Sequence, residues 1–287
     1  MDDLGRVRGR ERQDPVTGWR AIAVDGKTLR GSRTKDRPAT TLIAAMPHGG
    51  QVLAQREVDG KSNEIPVFAA FLDNIDLTGT VITADALHTQ HDHASCLHQS
   101  GAPCLAVAKK NHPGLHDKVR RLPRRDIRLD HYERSRAHQR HKIRRLKTPR
   151  SRTPTTPTPA KPFKSSARRD PATGKLTIER IYLATNLPPG AATGAELAVR
   201  VREHWRTENQ LHHVRDRTFH KEASKIRTRH LPRVMAGLRN LAIGVHRQDG
   251  HTNITAALRR NFVSRLDDHR KCGGQPQRSD RGHLTPG

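Results

Sequence analysis

Apolar residues in this chain come in short runs: AIAV (21–24), TTLIAAM (40–46), TVITA (80–84) and PCLAVA (103–108). Runs of this length, rich in Ala, Val and Ile and bounded by polar residues, predict buried strands rather than helices. None approaches the ~18 apolar residues of a membrane span. A third early strand is expected at QVLAQREV (51–58), after the turn Pro47-His48-Gly49-Gly50. The first three strands therefore predict an antiparallel meander. Helical spacing follows from Asn63 to Ile75 and from His91 to Gln99. Strands separated by helices make a mixed α/β domain with a central sheet.

Further along, residues 177–184 alternate as a strand does. Thr193 to about Val214 and Leu231 to Val245 carry helical patterns, the second with Val234, Leu238, Leu241 and Val245 on one face. Residues 1–18 are polar and charged and are expected to be frayed; 266–287 are expected to form a disordered tail. Between them, 19–265 forms the core, with an insertion at about 118–187. From Lys118 to Arg152 there are 15 Lys or Arg and three acids. The piece at 149–162 holds five prolines in fourteen residues, which fits a solvated linker and no central strand or helix.

The whole chain carries 54 Lys and Arg against 28 Asp and Glu, a formal charge of +26. That excess calls for an anionic partner, and nucleic acid leads because each cation near a phosphate releases a condensed counterion. The bland alternative is an Arg-rich composition with no specific partner. No apolar leader follows the N-terminus, so a cytoplasmic protein is expected. The three cysteines, Cys96, Cys104 and Cys272, form no CxxC pair. A disulfide framework is not expected, and Cys96 and Cys104 are read as core residues.

With acids scarce, their positions are informative. Asp25 directly follows AIAV, and Asp85 directly follows TVITA. Residues at strand ends project into the crevice where α/β sheets bind ligands. Two carboxylates on neighbouring strand ends can share hard divalent cations, and paired ions clamp both oxygens of a phosphodiester. The 193–214 helix offers a third acid, Glu203 or Glu208, and His204, Glu208 and His212 share one face at i, i+4 spacing. Taken singly, an Asp after a strand is most often a turn or cap residue.

In combination, V-D-G-K-T-L-R-G-S (24–32), K-S-N-E-I-P (61–66), T-A-D-A-L-H-T-Q (83–90) and H-W-R-T-E-N-Q-L-H (204–212) resemble the motif blocks of bacterial insertion-sequence DDE transposases of the ISAs family. K-x-N-x-P at 109–113 and N-L-A-I-G at 240–244 fit the same pattern, in order. The resemblance implies an RNase H-like mixed sheet flanked by helices, with the basic insertion before the last catalytic helix. It implies a catalytic and metal-binding triad of Asp25, Asp85 and Glu208, with Mg²⁺ (or Mn²⁺) as cofactor. The implied chemistry is attack of water on a phosphodiester at an element end, then attack of the freed 3′-OH on target DNA. Double-stranded DNA is the implied partner, a homodimer on DNA is expected by analogy, and the setting is the bacterial nucleoid. A catalytically inactive remnant that binds DNA without specificity is the alternative.

Some positions depart from the wider pattern. A Tyr, an Arg and a Lys that often frame the Glu correspond to Val201, His204 and Arg215. Similar proteins carry a helical region before the first acid, and a strand-forming segment where this chain has its Pro/Thr-rich piece. A truncated or degraded copy, with a local frameshift at about 149–170, is therefore an expectation. Lys27, Arg30, Lys109, Asn111, Arg206, Arg215 and Lys225 are the candidate DNA contacts. Trp205 is read as core. His88, His91, His93 and His98 cluster after Asp85; a solvated helix start near DNA is preferred there to a zinc site.

Overall fold

A computed structural model describes residues 19–48, 50–58, 64–123, 125–137, 140–149, 163–169, 174–188 and 190–261. The expectations for 1–18, most of 149–162 and 266–287, and for Cys272, lie outside the described residues.

The meander forms as the short apolar runs predict. β1 (Arg20–Thr28) pairs antiparallel with β2 (Thr41–Pro47), and β2 with β3 (Ala54–Val58). β4 (Thr80–Ala84) and β5 (Cys104–Ala108) then add on the other side of β1, parallel to it. The parallel additions require crossovers, and helices supply them. α1 (Phe68–Leu72) leads into β4, and α2 (His91–Gln99) into β5. The first of these is shorter than the expected 63–75. Pro66 disfavours helical geometry at Ile65, so the helix starts only after it. Leu77 beyond the helix is still buried.

The basic insertion extends the sheet. After α3 (Pro113–Arg120), β6 (Leu129–Ala137), β7 (Arg140–Lys147), β8 (Phe163–Arg169) and β9 (Leu176–Thr185) form antiparallel pairs, and β9 docks on β5. The nine-stranded order is β3-β2-β1-β4-β5-β9-β8-β7-β6. Much of this outer half is exposed, including Leu129, Tyr132, Leu176 and Ile178.

The two faces of the central strands pack separately. Ile22, Val24 and Ile82 meet Phe68, Phe71, Leu72 and Leu97 from α1 and α2. Val81, Leu105, Val107 and Leu183 meet Leu197, Ala198 and Val201 from α4 (Gly194–Glu208), with Trp205 partly buried at the edge. α4 starts at a capping box: Thr193 Oγ1 accepts from the Glu196 N–H at 3.3 Å, and Glu196 Oε2 accepts from the Thr193 N–H at 2.6 Å. A π-helical stretch, Asn209–His213, follows it directly, then α5 (Val214–Arg217).

α6 (Leu231–Gln248) lies on β2, packing Ala236 on Leu42 and Ile243 on Met46. The row Leu231, Val234, Leu238, Leu241 and Val245 remains 46–54% exposed. The helix thus buries its small and polar side rather than its most apolar one. No helix among the described residues is long and apolar enough to cross a membrane.

Candidate functional site

β4 ends at Ala84, which pairs with Val24 of β1. The next residue along is Asp25 on β1 and Asp85 just past β4, so the two aspartates occupy adjoining backbone positions where these parallel strands part. The apolar run predicts a first strand that ends at Val24. It runs on to Thr28 instead, because β2 continues to pair with it after β4 has turned away. Asp25 therefore sits where β1 loses one neighbour, and its backbone is held by the other. Strand alternation puts Asp25 on the face of Ala23, opposite the buried Val24, and keeps Asp85 in phase with Thr83.

α4 and the π-helical stretch cover that face. His212 Nε2 lies 2.9 Å from Asp25 Oδ2, and His204 Nδ1 lies 3.1 Å from Thr83 Oγ1. His48, from the turn after β2, reaches the same hydroxyl at 2.9 Å. Two of the three residues expected on one helical face, His204 and His212, thus converge on the ends of β1 and β4. The third, Glu208, is the last residue of α4, and its side chain lies outside the described residues, as does that of Arg206. π-helical stretches inside helices are frequent at functional sites.

Burial pushes the Asp25 carboxyl up, yet its pKa is held below the ordinary value. The hydrogen bond and charge of His212, the charge of His204 and the Gly26 N–H together outweigh desolvation. His48 is driven the other way. Burial, with the His204 and Arg200 side chains opposing a further positive charge, brings its pKa down to about 3, so it is neutral at pH 7.

Asp85 also performs the ordinary task of a strand-end aspartate. Its Oδ1 accepts from the Leu87 N–H at 2.7 Å and caps the 3₁₀ turn Ala86–His88. Asn111 ties the same turn down, donating from Nδ2 to the Ala86 carbonyl at 2.7 Å. That gives Asn111 an internal role, although the residue is itself exposed.

Glu64 is the residue the sequence reading passed over. A side chain at Gly26 would overlap its carboxylate, so that carboxylate lies directly against the backbone beside Asp25. It also stands 3.4 Å from His88 Nε2. Its signal in the sequence is the acid of K-S-N-E-I-P (61–66). His88 and His93 are both buried and stack on Phe68 with ring centroids 4.6 and 4.2 Å away. The expected solvated helix start is corrected for these two, since aromatic stacking takes them into the core; His98 is exposed as expected.

The candidate DNA contacts divide by exposure. Arg30, Lys109 and Lys225 are exposed. Lys27 is partly covered and stands 3.8 Å from Asp216. Lys109 Nζ lies 6.0 Å over the ring of Trp205, which is half-buried against the α4 side of the sheet. Arg215 is corrected outright. It is 1% exposed and donates to Asn240 Oδ1 at 2.7 Å and Gln55 Oε1 at 3.1 Å. Burial brings its pKa down to about 10, but the guanidinium stays charged and is used to join α5, α6 and β3.

The donor set at the strand ends is carboxylate oxygen, which suits a hard cation such as Mg²⁺. Asp25 gives one oxygen to His212 and Asp85 gives one to its own turn, and each carboxylate has a second. Cys104 packs against the other face of the sheet, where burial pushes its thiol up to about 11, away from this chemistry.

Two aspartates at the ends of adjacent parallel strands thus lie beneath a helix that bears acids and histidines. The model of the transposase DDE domain matches residues 18–244, and the chain belongs to that family. The protein YbfL of Escherichia coli K12 is 28% identical over 247 residues, covering 79% of this chain and 64% of that protein. "Putative transposase YncI" of Escherichia coli O157:H7 is 27% identical over 250 residues, covering 81% of this chain and 63% of its own. The chain thus spans just under two thirds of the length of these relatives. A piggyBac transposase in a synaptic complex with hairpin DNA is similar over 90% of this chain and 55% of that one, at 11% identity and a TM-score of 0.45, too loose a likeness to carry an argument.

Proposed function

We propose that this chain is the RNase H-like core of an ISAs-type insertion-sequence transposase, which cuts DNA at element ends and joins the freed 3′-OH to target DNA. The observation that carries this reading is the pairing of Val24 with Ala84, which leaves Asp25 and Asp85 adjacent. The antiparallel meander followed by two parallel strands supports the fold assignment.

Asp25, Asp85 and Glu208 would hold the metal. Mg²⁺ there would supply Lewis-acid stabilisation for charge developing on the phosphodiester. The protein's own groups do the rest. Asp25 remains ionised at neutral pH because its pKa is depressed, and His212 fixes which of its oxygens faces the crevice. The capped turn after β4 fixes Asp85. Lys27, Arg30, Lys109 and Lys225 would neutralise DNA phosphates, with the net charge of +26 assisting approach. Water attacks the scissile phosphorus, the 3′-oxygen leaves as a hydroxyl, and that hydroxyl then displaces one side of a target phosphodiester.

Nicking of element-end DNA with Mg²⁺ or Mn²⁺ tests this reading, comparing the wild type with Asp85→Asn. Loss of several kcal/mol of transition-state stabilisation lowers nicking on the order of 10²–10³-fold. Nicking unchanged by the substitution overturns the metal-cage mechanism. DNA binding without nicking by the wild type favours the inactive remnant.

A further inference from the structure

α6 ends in a turn that brings three metal-ligating side chains together, away from the carboxylates of the proposed catalytic site. Asp249 is the C-cap of the helix. Gly250 follows in the left-handed region at φ +80°, and the chain folds back. The Gly250 N–H donates to the Arg247 carbonyl at 3.0 Å, and the His251 N–H donates to the His246 carbonyl at 2.9 Å. This pair of bonds is the Schellman motif, in which the residue after the glycine returns over the last turn.

That motif is usually closed by an apolar contact between the two residues joined by the longer bond. Here both are histidines. The rings of His246 and His251 lie 5.8 Å apart, inclined at 53°. His246 is 92% buried, and its Nδ1 has no hydrogen-bond partner among the described residues. Two imidazoles in an apolar contact position, one of them with a buried orphan nitrogen, are poorly explained as packing. Asp249 completes the group: one ligand atom from each of the three lies within 4.8 Å of the others.

We propose that His246, Asp249 and His251 form a site for a divalent cation of the zinc class. Two imidazole nitrogens and one carboxylate suit a borderline cation, whereas Mg²⁺ prefers oxygen throughout. A tetrahedral ion with bonds of ~2.1 Å holds its ligands roughly 3.4 Å apart. Asp249 is exposed and His251 only half-buried, so both side chains have room to close the remaining gap. The helix C-terminus adds to the attraction, since its unpaired carbonyls favour positive charge. The fourth position falls to water. A bound ion would lock the end of α6 to the turn that leads into the next helical run at 254–261.

Zinc affinity of the purified chain, measured by competition with a chromophoric chelator, tests the site. His251→Ala and Asp249→Asn alter partly or fully exposed positions and should leave the fold intact by circular dichroism. The wild type should bind one zinc ion that each variant loses, or binds at least about ten-fold more weakly. Zinc should also raise the melting temperature of the wild type and of neither variant, and excess Mg²⁺ should not displace it. Equal zinc affinity in the wild type and both variants overturns the proposal, as does displacement by Mg²⁺. None of these readouts depends on DNA cleavage.

Discussion

His212 Nε2 and Asp25 Oδ2 lie 2.9 Å apart, though 187 residues separate them in the chain. The bond joins the π-helical stretch after α4 to the strand that carries the first acid. It orients one carboxylate oxygen and lowers the carboxyl pKa.

Replacing His212 therefore acts through Asp25. His212→Ala should lower Mg²⁺-dependent nicking by about 10–100-fold, the usual cost of losing a group that orients a ligand. Raising the metal concentration should recover part of it. A metal titration of nicking checks this, and a metal dependence identical to the wild type counts against an orienting role.

Gly26 has no room for a side chain because the Glu64 carboxylate occupies the space. Gly26→Ala must displace Glu64 or bend β1, at a cost of about 1–3 kcal/mol. Urea denaturation measures it. Gly26→Ala combined with Glu64→Ala should recover most of the loss, since the overlapping atoms are then gone.

Arg215, Asn240 and Gln55 form a closed set of buried and part-buried hydrogen bonds, the last between Asn240 Nδ2 and Gln55 Oε1 at 2.9 Å. Asn240→Leu leaves a buried guanidinium without one of its partners. The loss should be about 1–3 kcal/mol, the cost of leaving a buried hydrogen-bonding group unsatisfied. If denaturation shows less than about 1 kcal/mol, Arg215 is not held as described.

Stability should fall in acid. The folded state keeps His48 neutral down to about pH 3, whereas the unfolded chain takes up that proton near pH 6.5. The unfolded state thus binds more protons between those values, so stability is full above about pH 6.5 and declines as pH falls. The depressed Asp25 acts in the same direction, lower in the range, as its carboxylate becomes protonated. Melting temperatures from pH 8 to 4 should show the decline, and His48→Gln should flatten its upper part. A profile for His48→Gln parallel to the wild type removes His48 as the cause.

Local pattern went far toward the strands. AIAV, LIAAM, TVITA and CLAVA each form one, because short β-branched and small apolar runs can be buried on both sides only inside a sheet. Motif order pointed to a DDE transposase, and the match to the transposase DDE domain agrees with that much. Pattern misled where the partner decides the environment. The α6 row at Leu231–Val245 is its most apolar side, yet it faces outward, while Asn240 and His246 are inside.

Sequence alone determined that Asp25 and Asp85 each follow an apolar strand, that acids are few among many cations, and that a helix bearing Glu208 comes late. Only the tertiary structure decided which strands adjoin. Parallel neighbours are chosen by crossover and packing, over separations that no local periodicity spans. The same holds for Arg215, Glu64 and His212. A charged side chain looks alike in a string of letters whether solvent surrounds it or a buried partner receives it, and distant backbone segments make that choice.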